Sequence, residues 1–337
     1  MSHPVSDEGR RELVSRSRDI ATIAALWHKH RCGDCERRLR PIFSIDQDGL
    51  RTCRPTVTYA PFMGMPVRGG RATTPAVLLL VAACASSAAC ARALVRPVVV
   101  AAPPAPDALL VLPGFGYGRG GERAIRALAP ALAADGIELL VPTYIARGGL
   151  DDSRERLRRF VREQGLERYR HVHVFAFIAG GWTINPLLDV GELPNLATVV
   201  YDRSPLQERA ARVADDKLHL LTWIRFGSPV SDLARTPYPP LTRPAVKVGV
   251  LVETRPTGFV RRFAAAAQRY GPLRFDCDEL GQRYDDCAFV PFDHDDMYRR
   301  FADLWPDLRT FIRTGRFTPD AIRMPPAADP LMAAQQH

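Results

Sequence analysis

Three side chains that can transfer protons stand at the ends of predicted strands or just ahead of the final predicted helix. Asp202 follows the strand-like run 198–201, Glu253 follows the run 246–252, and His294 precedes the helical stretch 297–313. A carboxylate can orient an imidazole, and an imidazole can accept a proton from a nucleophile, when the groups lie close together. Asp202, Glu253 and His294 are therefore candidates for proton-transfer chemistry.

Each of these residues also has a plainer interpretation. A carboxylate at a strand end is often a helix cap or part of a surface ion pair. His294 could begin a helix whose positive end is favoured by its three neighbouring aspartates, Asp293, Asp295 and Asp296. Those aspartates do not have the spacing of a calcium-binding loop. Both interpretations of His294 stay open from the sequence.

Glycine-rich turns follow two of the predicted strands. The first, 112–118, reads LPGFGYG, and its spacing matches neither a P-loop nor a dinucleotide-binding motif. The second, 176–181, reads AFIAGG and places small residues on both sides of Ile178. A sharp turn from a strand into a helix requires such small residues because the two elements nearly collide there. Backbone N–H groups in turns of this kind can stabilise a developing oxyanion.

Strand-like and helical runs alternate from residue 94 onward. The predicted strands are 95–101, 108–112, 137–141, 172–177, 198–201 and 246–252, and the predicted helices are 122–134, 152–164 and 297–313. This alternation predicts an α/β fold with a doubly wound, mostly parallel sheet, in which ligands bind at the carboxyl ends of the strands. The segment 203–245 has several prolines and no clean period, so we predict a small insertion or lid there. Residues 321–337 are predicted to form a flexible tail.

The order of these elements and turns, over a domain spanning 94–320, resembles the α/β-hydrolase fold of lipases and esterases. The resemblance implies oxyanion-hole N–H groups at Gly114, Phe115 and Ala179, with His294 as the general base. It also implies that the acid is Asp202 or Glu253, since members of the fold place it after either strand.

The same resemblance puts Ile178 at the nucleophile position, where an aliphatic side chain has no lone pair to attack a carbonyl. Isoleucine is also β-branched and unsuited to the strained backbone of a nucleophile elbow. Two further positions depart from the pattern. Pro113 replaces the histidine that often precedes the oxyanion glycine, and Arg255 stands where many members have aspartate. The elbow therefore predicts a degenerate hydrolase site.

Cys277 and Cys287 lie ten residues apart, shortly before His294. In an exported domain we expect them to form a disulfide that holds the loop carrying His294. In a cytosolic domain they would instead be buried free thiols.

An uncharged run, TTPAVLLLVAACASSAACA, occupies 73–91 with arginines on both sides. Basic residues followed by an apolar stretch and small residues are typical of a secretory signal, so 65–93 is predicted as a signal peptide, a lipoprotein signal or a membrane anchor. Val81–Cys84 resembles the bacterial lipobox, which would imply a lipid on Cys84. An Ala-rich buried helix is the remaining interpretation. We expect a location in the cell envelope, with the membrane reached through 73–91 or through Cys84.

The N-terminal extension 1–64 contains a Cys-x-x-Cys pair. Cys32 and Cys35, with Cys53 and His28, could hold a zinc ion as a small ribbon, although Thr56 stands where a second pair would be completed. Alternatively, translation begins at Met63 or Met65 and this stretch is not native protein. No cofactor is expected for the main domain, and zinc only within 28–53.

The composition excludes several classes of function. The chain has 337 residues and a net charge of +9. Its arginines are scattered among acidic residues without a basic stripe, so nucleic acid is not an expected partner. Seven cysteines are too few for a disulfide-dense scaffold. The expected ligand is a lipid, an ester or another small apolar molecule.

Three functions remain open. The first is a non-hydrolytic member of the hydrolase fold, exported or anchored, that binds a ligand at the former active site. The second is an active esterase with a displaced nucleophile, for which Ser204 and Thr183 are candidates. The third is a membrane-tethered zinc-ribbon protein whose large domain is a scaffold.

Overall fold

The computed structural model describes residues 98–100, 105–115, 117–271 and 275–326. The predicted N-terminal extension, the signal or anchor segment with Cys84, and the zinc ligands His28, Cys32, Cys35 and Cys53 lie outside the described residues. Among the helices that are described, none combines the length and the apolar character needed to cross a membrane.

A seven-stranded sheet forms the centre of the domain. Its strands in chain order are β1 Val98–Val100, β2 Asp107–Leu112, β3 Ile137–Val141, β4 His171–Ala176, β5 Leu196–Arg203, β6 Lys247–Glu253 and β7 Asp286–Val290. Their order across the sheet is β1-β3-β2-β4-β5-β6-β7. Strands β2 to β7 run parallel, and only β1 is antiparallel to its neighbour. The predicted doubly wound, mostly parallel α/β sheet is confirmed.

Ten α-helices lie in the described part of the chain. They are α1 Arg119–Arg126, α2 Ala129–Ala134, α3 Leu150–Glu163, α4 Ile178–Asp189, α5 Pro205–Phe226, α6 Pro229–Arg235, α7 Gly258–Arg262, α8 Ala264–Gln268, α9 His294–Arg299 and α10 Trp305–Thr314. Short 3-10 turns occur at Leu166–Arg168, Asp278–Leu280 and Phe301–Leu304. Strands β2, β3 and β4 are buried on both faces, as is usual for parallel strands covered by helices on both sides.

Prolines divide two helices that the sequence analysis predicted as continuous. Pro130 lies in the first turn of α2 and Pro306 in the first turn of α10. A proline lacks the N–H that a helix interior needs, and its ring disfavours helical backbone in the residue before it. Each proline therefore starts a new helix instead of continuing the preceding one.

The predicted lid region 203–245 is mostly helical, with α5 and α6 joined at Gly227. Helix α5 begins with Pro205 after the capping hydroxyl of Ser204, and its backbone departs from helical geometry at Leu218. Strand β7, Asp286–Val290, was not predicted. Beyond residue 320, the Ile322 carbonyl accepts a 2.8 Å hydrogen bond from the N–H of Phe289 in β7. The packed chain therefore extends past the predicted end of the domain.

Cys277 and Cys287 form a disulfide in the structure, with their Cα atoms 6.5 Å apart. Cys287 lies in β7, and Cys277 precedes the 3-10 turn Asp278–Leu280. Because β7 leads directly into the loop before α9, the bond fixes the strand that delivers His294 to the sheet edge.

Candidate active site

Three adjacent chain segments bring Asp202, Glu253 and His294 together. Asp202 lies near the carboxyl end of β5, Glu253 ends the neighbouring strand β6, and His294 begins α9 just after β7. Since parallel neighbouring strands end at one edge of the sheet, their last side chains converge there. The Nδ1 of His294 lies 2.7 Å from Glu253 Oε1 and 3.7 Å from Asp202 Oδ2. Glu253 is thus the direct partner of the imidazole.

The two carboxyl groups are fully buried beside each other. Burial, reinforced by the charge of Glu253, raises the pKa of Asp202 well above its ordinary value, and burial does the same for the pKa of Glu253. Two adjacent buried carboxylates cannot both be ionised, so the pair shares one proton. Both oxygens of Asp202 and Oε2 of Glu253 otherwise lack a hydrogen-bond partner among the described residues. A shared proton provides one.

Burial lowers the pKa of His294, and the Asp202 carboxyl opposes this shift only in part. The imidazole is therefore neutral at pH 7. With Glu253 accepting from Nδ1, the proton of the neutral ring lies on Nδ1 and Nε2 is left as an acceptor. This is the tautomer that a general base needs, with its acceptor nitrogen directed away from the carboxyl pair.

The hydroxyl that faces Nε2 belongs to Tyr298. Its oxygen lies 3.4 Å from Nε2 and accepts a 2.8 Å hydrogen bond from the Gly114 N–H. The tyrosine ring stacks on Phe177, with ring centroids 4.4 Å apart. Burial raises the pKa of Tyr298 well above its usual range, so the phenol stays protonated. Tyr298 therefore contacts both the predicted base and the predicted oxyanion donor.

Gly114 permits this close approach. A Cβ atom at position 114 would lie 3.0 Å from the Tyr298 oxygen and 3.7 Å from His294 Nε2. The preceding carbonyl, of Pro113, accepts a 2.6 Å hydrogen bond from the Tyr144 hydroxyl. The glycine-rich turn is thus fixed by two tyrosines, and its predicted oxyanion N–H at Gly114 is already hydrogen-bonded within the chain.

The turn between β4 and α4 carries no nucleophilic side chain. Phe177 stands between strand and helix with ordinary extended backbone (φ −61°), and Ile178 is the first residue of α4. The rings of Phe177 and His294 lie 6.3 Å apart. Ile178 and Ala179 belong instead to an apolar cluster with Leu150, Trp182 and Leu233, against which Phe115 packs. Hydrophobic side chains thus occupy the region between the strand ends and helices α5 and α6.

The two candidate displaced hydroxyls point elsewhere. Thr183 donates a 2.9 Å hydrogen bond to the Ala179 carbonyl one turn earlier in α4. Ser204 caps α5 and faces Glu253, whose pKa it lowers. Ser204 is therefore on the Nδ1 side of the imidazole, opposite the nitrogen that would accept a proton from a nucleophile.

Tyr298 was not singled out in the sequence, although a signal was present. It stands four residues after His294, and residues i and i+4 of a helix share one face. A helix that begins at the predicted base therefore directs residue 298 to the same site.

One ligand atom from each of Asp202, Glu253 and His294 lies within 4.8 Å of the others, an arrangement that could also hold a cation.

Comparison with known proteins gives matches at the level of structure. No protein-family model matches the chain, and no curated protein matches its sequence. Similar solved structures include a lipase from Bacillus licheniformis in mature form, with 14% identity, a TM-score of 0.46 and coverage of 63% of this chain and 93% of that one. A thermophilic esterase from Thermogutta terrifontis has 13% identity, a TM-score of 0.38 and coverage of 65% and 93%. Juvenile hormone epoxide hydrolase from the silkworm Bombyx mori has 9% identity, a TM-score of 0.41 and coverage of 64% and 72%.

The chain's own sheet has the arrangement that the resemblance to the α/β-hydrolase fold implied. Strands β2 to β7 are parallel, Asp202 and Glu253 lie at the ends of β5 and β6, and His294 follows β7. Similarity at this level concerns the fold alone, and function has to be argued from the site.

Proposed function

We propose that this chain is a non-hydrolytic member of the α/β-hydrolase fold, located in the cell envelope, that binds a lipid, an ester or another small apolar ligand. The observation that carries the proposal is the partner of His294 Nε2. A serine hydrolase needs a serine hydroxyl at that nitrogen and a free oxyanion donor opposite it. Here the Tyr298 phenol faces the nitrogen and accepts the Gly114 N–H.

The phenol is a poor replacement for a serine nucleophile. Its ring is buried against Phe177. Its oxygen already accepts the hydrogen bond of the Gly114 N–H, the group that would stabilise a tetrahedral intermediate. Attack by this oxygen would remove the hydrogen bond it receives from Gly114 while the oxyanion still lacked that donor. The positions of Ser204 and Thr183 give no support to a displaced nucleophile.

An envelope location is supported by two independent features. The uncharged, arginine-flanked run 73–91 with Cys84 is typical of a signal or anchor, and the Cys277–Cys287 disulfide is typical of an oxidising compartment. The apolar cluster around Ile178, at the edge where ligands bind in this fold, supports an apolar ligand.

The test is ester hydrolysis by the full chain and by variants that rebuild the missing parts. We expect no hydrolysis of short or long acyl esters by the unmodified protein. Ile178→Ser alone restores a hydroxyl but leaves the Gly114 N–H bound to Tyr298. Adding Tyr298→Phe frees that donor, and losing one such donor costs about 10²–10³ in kcat in other enzymes. We therefore expect the double variant to be the more active.

His294→Ala in the double variant is the control and should abolish any activity gained. Circular dichroism and thermal unfolding establish that each variant is folded. Turnover by the unmodified protein that disappears in the His294→Ala variant would contradict the proposal, because it would require a nucleophile that this site lacks.

A further inference from the structure

The second half of helix α5 has its apolar side chains on the outside. After the break at Leu218, the buried side chain is Thr222, a polar residue. Leu220 is 65% exposed and Trp223 is 54% exposed. Leu221, Ile224 and Phe226 are only partly buried. A surface helix normally buries its apolar face and exposes its polar one, so this stretch has the reverse arrangement. We call the side chains Leu220, Leu221, Trp223 and Ile224 the α5 face.

The α5 face is held firmly in place. Arg147 donates hydrogen bonds of 2.9 Å and 3.1 Å to the carbonyls of Arg225 and Trp223 at the end of the helix. The ring of Phe226 packs edge-on against Phe115 at 5.4 Å. Thr222 donates its hydroxyl to carbonyls within its own helix. The exposed leucine and tryptophan are therefore a fixed feature of the fold that presents an apolar surface to its surroundings.

The location of the α5 face indicates what covers it. Arg147 follows β3, and Phe115 follows β2, so the helix lies across the carboxyl edge of the sheet. The first strand, β1, is antiparallel and pairs Val98 with Val141, the last residue of β3. The chain therefore enters the sheet at this same edge.

The predicted membrane segment ends close to that entry point. Ala91 is the last residue of the uncharged run, and residues 92–97 separate it from Val98. Six extended residues span at most about 21 Å. A membrane reached through 73–91 therefore lies within that distance of the sheet edge at which β1 begins, which is also the edge that α5 crosses.

The composition of the α5 face suits a lipid surface. Tryptophan is enriched at the boundary between water and the acyl chains, where its amphipathic ring is stable, and basic side chains favour anionic headgroups. Lys217 is exposed beside the face, and Arg225 and Arg147 flank its end. Helices of this kind lie in the plane of the bilayer surface with their apolar side chains inserted.

We propose that the α5 face docks onto the bilayer to which the chain is attached, so that the carboxyl edge of the sheet faces the lipid. This inference rests on the proposed membrane attachment. It adds a second contact, made by the folded domain itself, and would present the apolar cluster around Ile178 to lipid-derived ligands. Because the attachment holds the domain near the membrane, a weak surface contact is sufficient.

The test uses the full chain mixed with vesicles of phosphatidylcholine and phosphatidylglycerol, with or without brominated acyl chains that quench nearby tryptophan. The emission of the wild type minus that of Trp223→Phe reports residue 223 alone. Insertion to about 5–10 Å should place this ring near the bromines and reduce the difference emission about twofold. Leu220→Gln should weaken the quenching.

Val190→Gln is the matched control. Val190 is 72% exposed but follows α4 shortly before β5 begins, at the opposite edge of the sheet. We expect this variant to leave the quenching of Trp223 unchanged. Cosedimentation in all variants confirms that the chain remains attached to the vesicles.

The outcomes separate the two proposals. If the chain floats with the vesicles in a density gradient but Trp223 is not quenched, the docking proposal is wrong and the attachment stands. If the chain does not float, both are wrong. Protection of Trp223 from an aqueous quencher in vesicle-free, detergent-solubilised protein, together with a dimeric mass, would show that a second copy covers the α5 face and would also overturn the proposal.

Discussion

The hydroxyl of Tyr298 can be removed with little other change, because Tyr298→Phe keeps the ring that stacks on Phe177. The substitution leaves the buried Gly114 N–H without its 2.8 Å acceptor. A buried donor without a partner costs about 1–3 kcal/mol, and we expect the free energy of unfolding in urea to fall by that amount. The imidazole also loses its neighbour at Nε2. Since the phenol oxygen lies 3.4 Å from Nε2, its removal should change the surroundings of the ring and shift the His294 resonances.

Tyr144→Phe is the matched control for this variant. It also removes a buried phenol, whose 2.6 Å hydrogen bond ends on the Pro113 carbonyl, one residue from Gly114. Both variants should lose stability, but only Tyr298→Phe should shift the His294 ring resonances and their titration, measured by NMR. If Tyr298→Phe unfolds at the wild-type urea concentration and leaves those resonances in place, the phenol does not lie between Gly114 and His294, and the account of the site is refuted.

Three further predictions concern the carboxyl pair, a buried histidine and the disulfide. The Asp202–Glu253 pair keeps a proton that the unfolded chain releases above its ordinary carboxyl pKa, so the contribution of this pair to stability should fall as pH rises, by up to about 1.4 kcal/mol per unit. In urea unfolding between pH 5 and 8, the unfolding free energy of the wild type minus that of Asp202→Asn should therefore fall as pH rises, whereas a difference that does not change with pH would contradict the shared proton. Burial lowers the pKa of His173 to about 4. The unfolded chain therefore binds this proton at a higher pH than the folded chain does, and the contribution of His173 to stability should fall by about 2 kcal/mol between pH 7 and pH 5. The unfolding free energy of the wild type minus that of His173→Asn should fall by this amount, and an identical pH dependence in both proteins would show that His173 is not buried in its neutral form. Replacing Cys277 and Cys287 by serine should cost about 2–3 kcal/mol of unfolding free energy and make stability insensitive to reductant. If reductant instead leaves the wild type unaffected, and intact mass shows two free thiols, the disulfide is absent.

Much of the fold follows from local sequence patterns. The strands β3 and β4 lie within one residue of their predicted limits, because both are short runs rich in apolar and β-branched residues. Helix α5 was harder to predict because its second half buries Thr222 and exposes Leu220 and Trp223. The usual expectation that apolar residues of a helix face the core therefore does not identify this stretch as helical.

The sequence could predict only those parts of the site whose position follows from the order of strands in the sheet. Strand ends bring Asp202, Glu253 and His294 together, so their proximity follows from the predicted fold. Which carboxylate contacts the imidazole depends on a difference of about 1 Å between two side-chain distances, 2.7 Å to Glu253 and 3.7 Å to Asp202, and only the structure gives those distances. The contact of Tyr298 with Gly114, 184 residues away in sequence, likewise depends on packing between distant segments.

The interpretation of Ile178 as the lost nucleophile stays a prediction. The structure places it at the start of α4, one residue after Phe177, and it is Phe177 whose ring lies near His294. A parallel Phe177→Ser variant, assayed beside Ile178→Ser, would establish which of the two positions corresponds to the nucleophile. The more active variant identifies the position.

The central claim is that His294 has no nucleophile to activate. The most direct measurement is intact-mass analysis of the full, unmodified chain after incubation with a fluorophosphonate, which bonds covalently to activated serine hydroxyls. An active serine esterase treated in parallel confirms that the reagent is competent. The account predicts an unchanged mass for this protein. A stoichiometric adduct that disappears in the His294→Ala variant would show that the imidazole does activate a nucleophile, and would contradict the account.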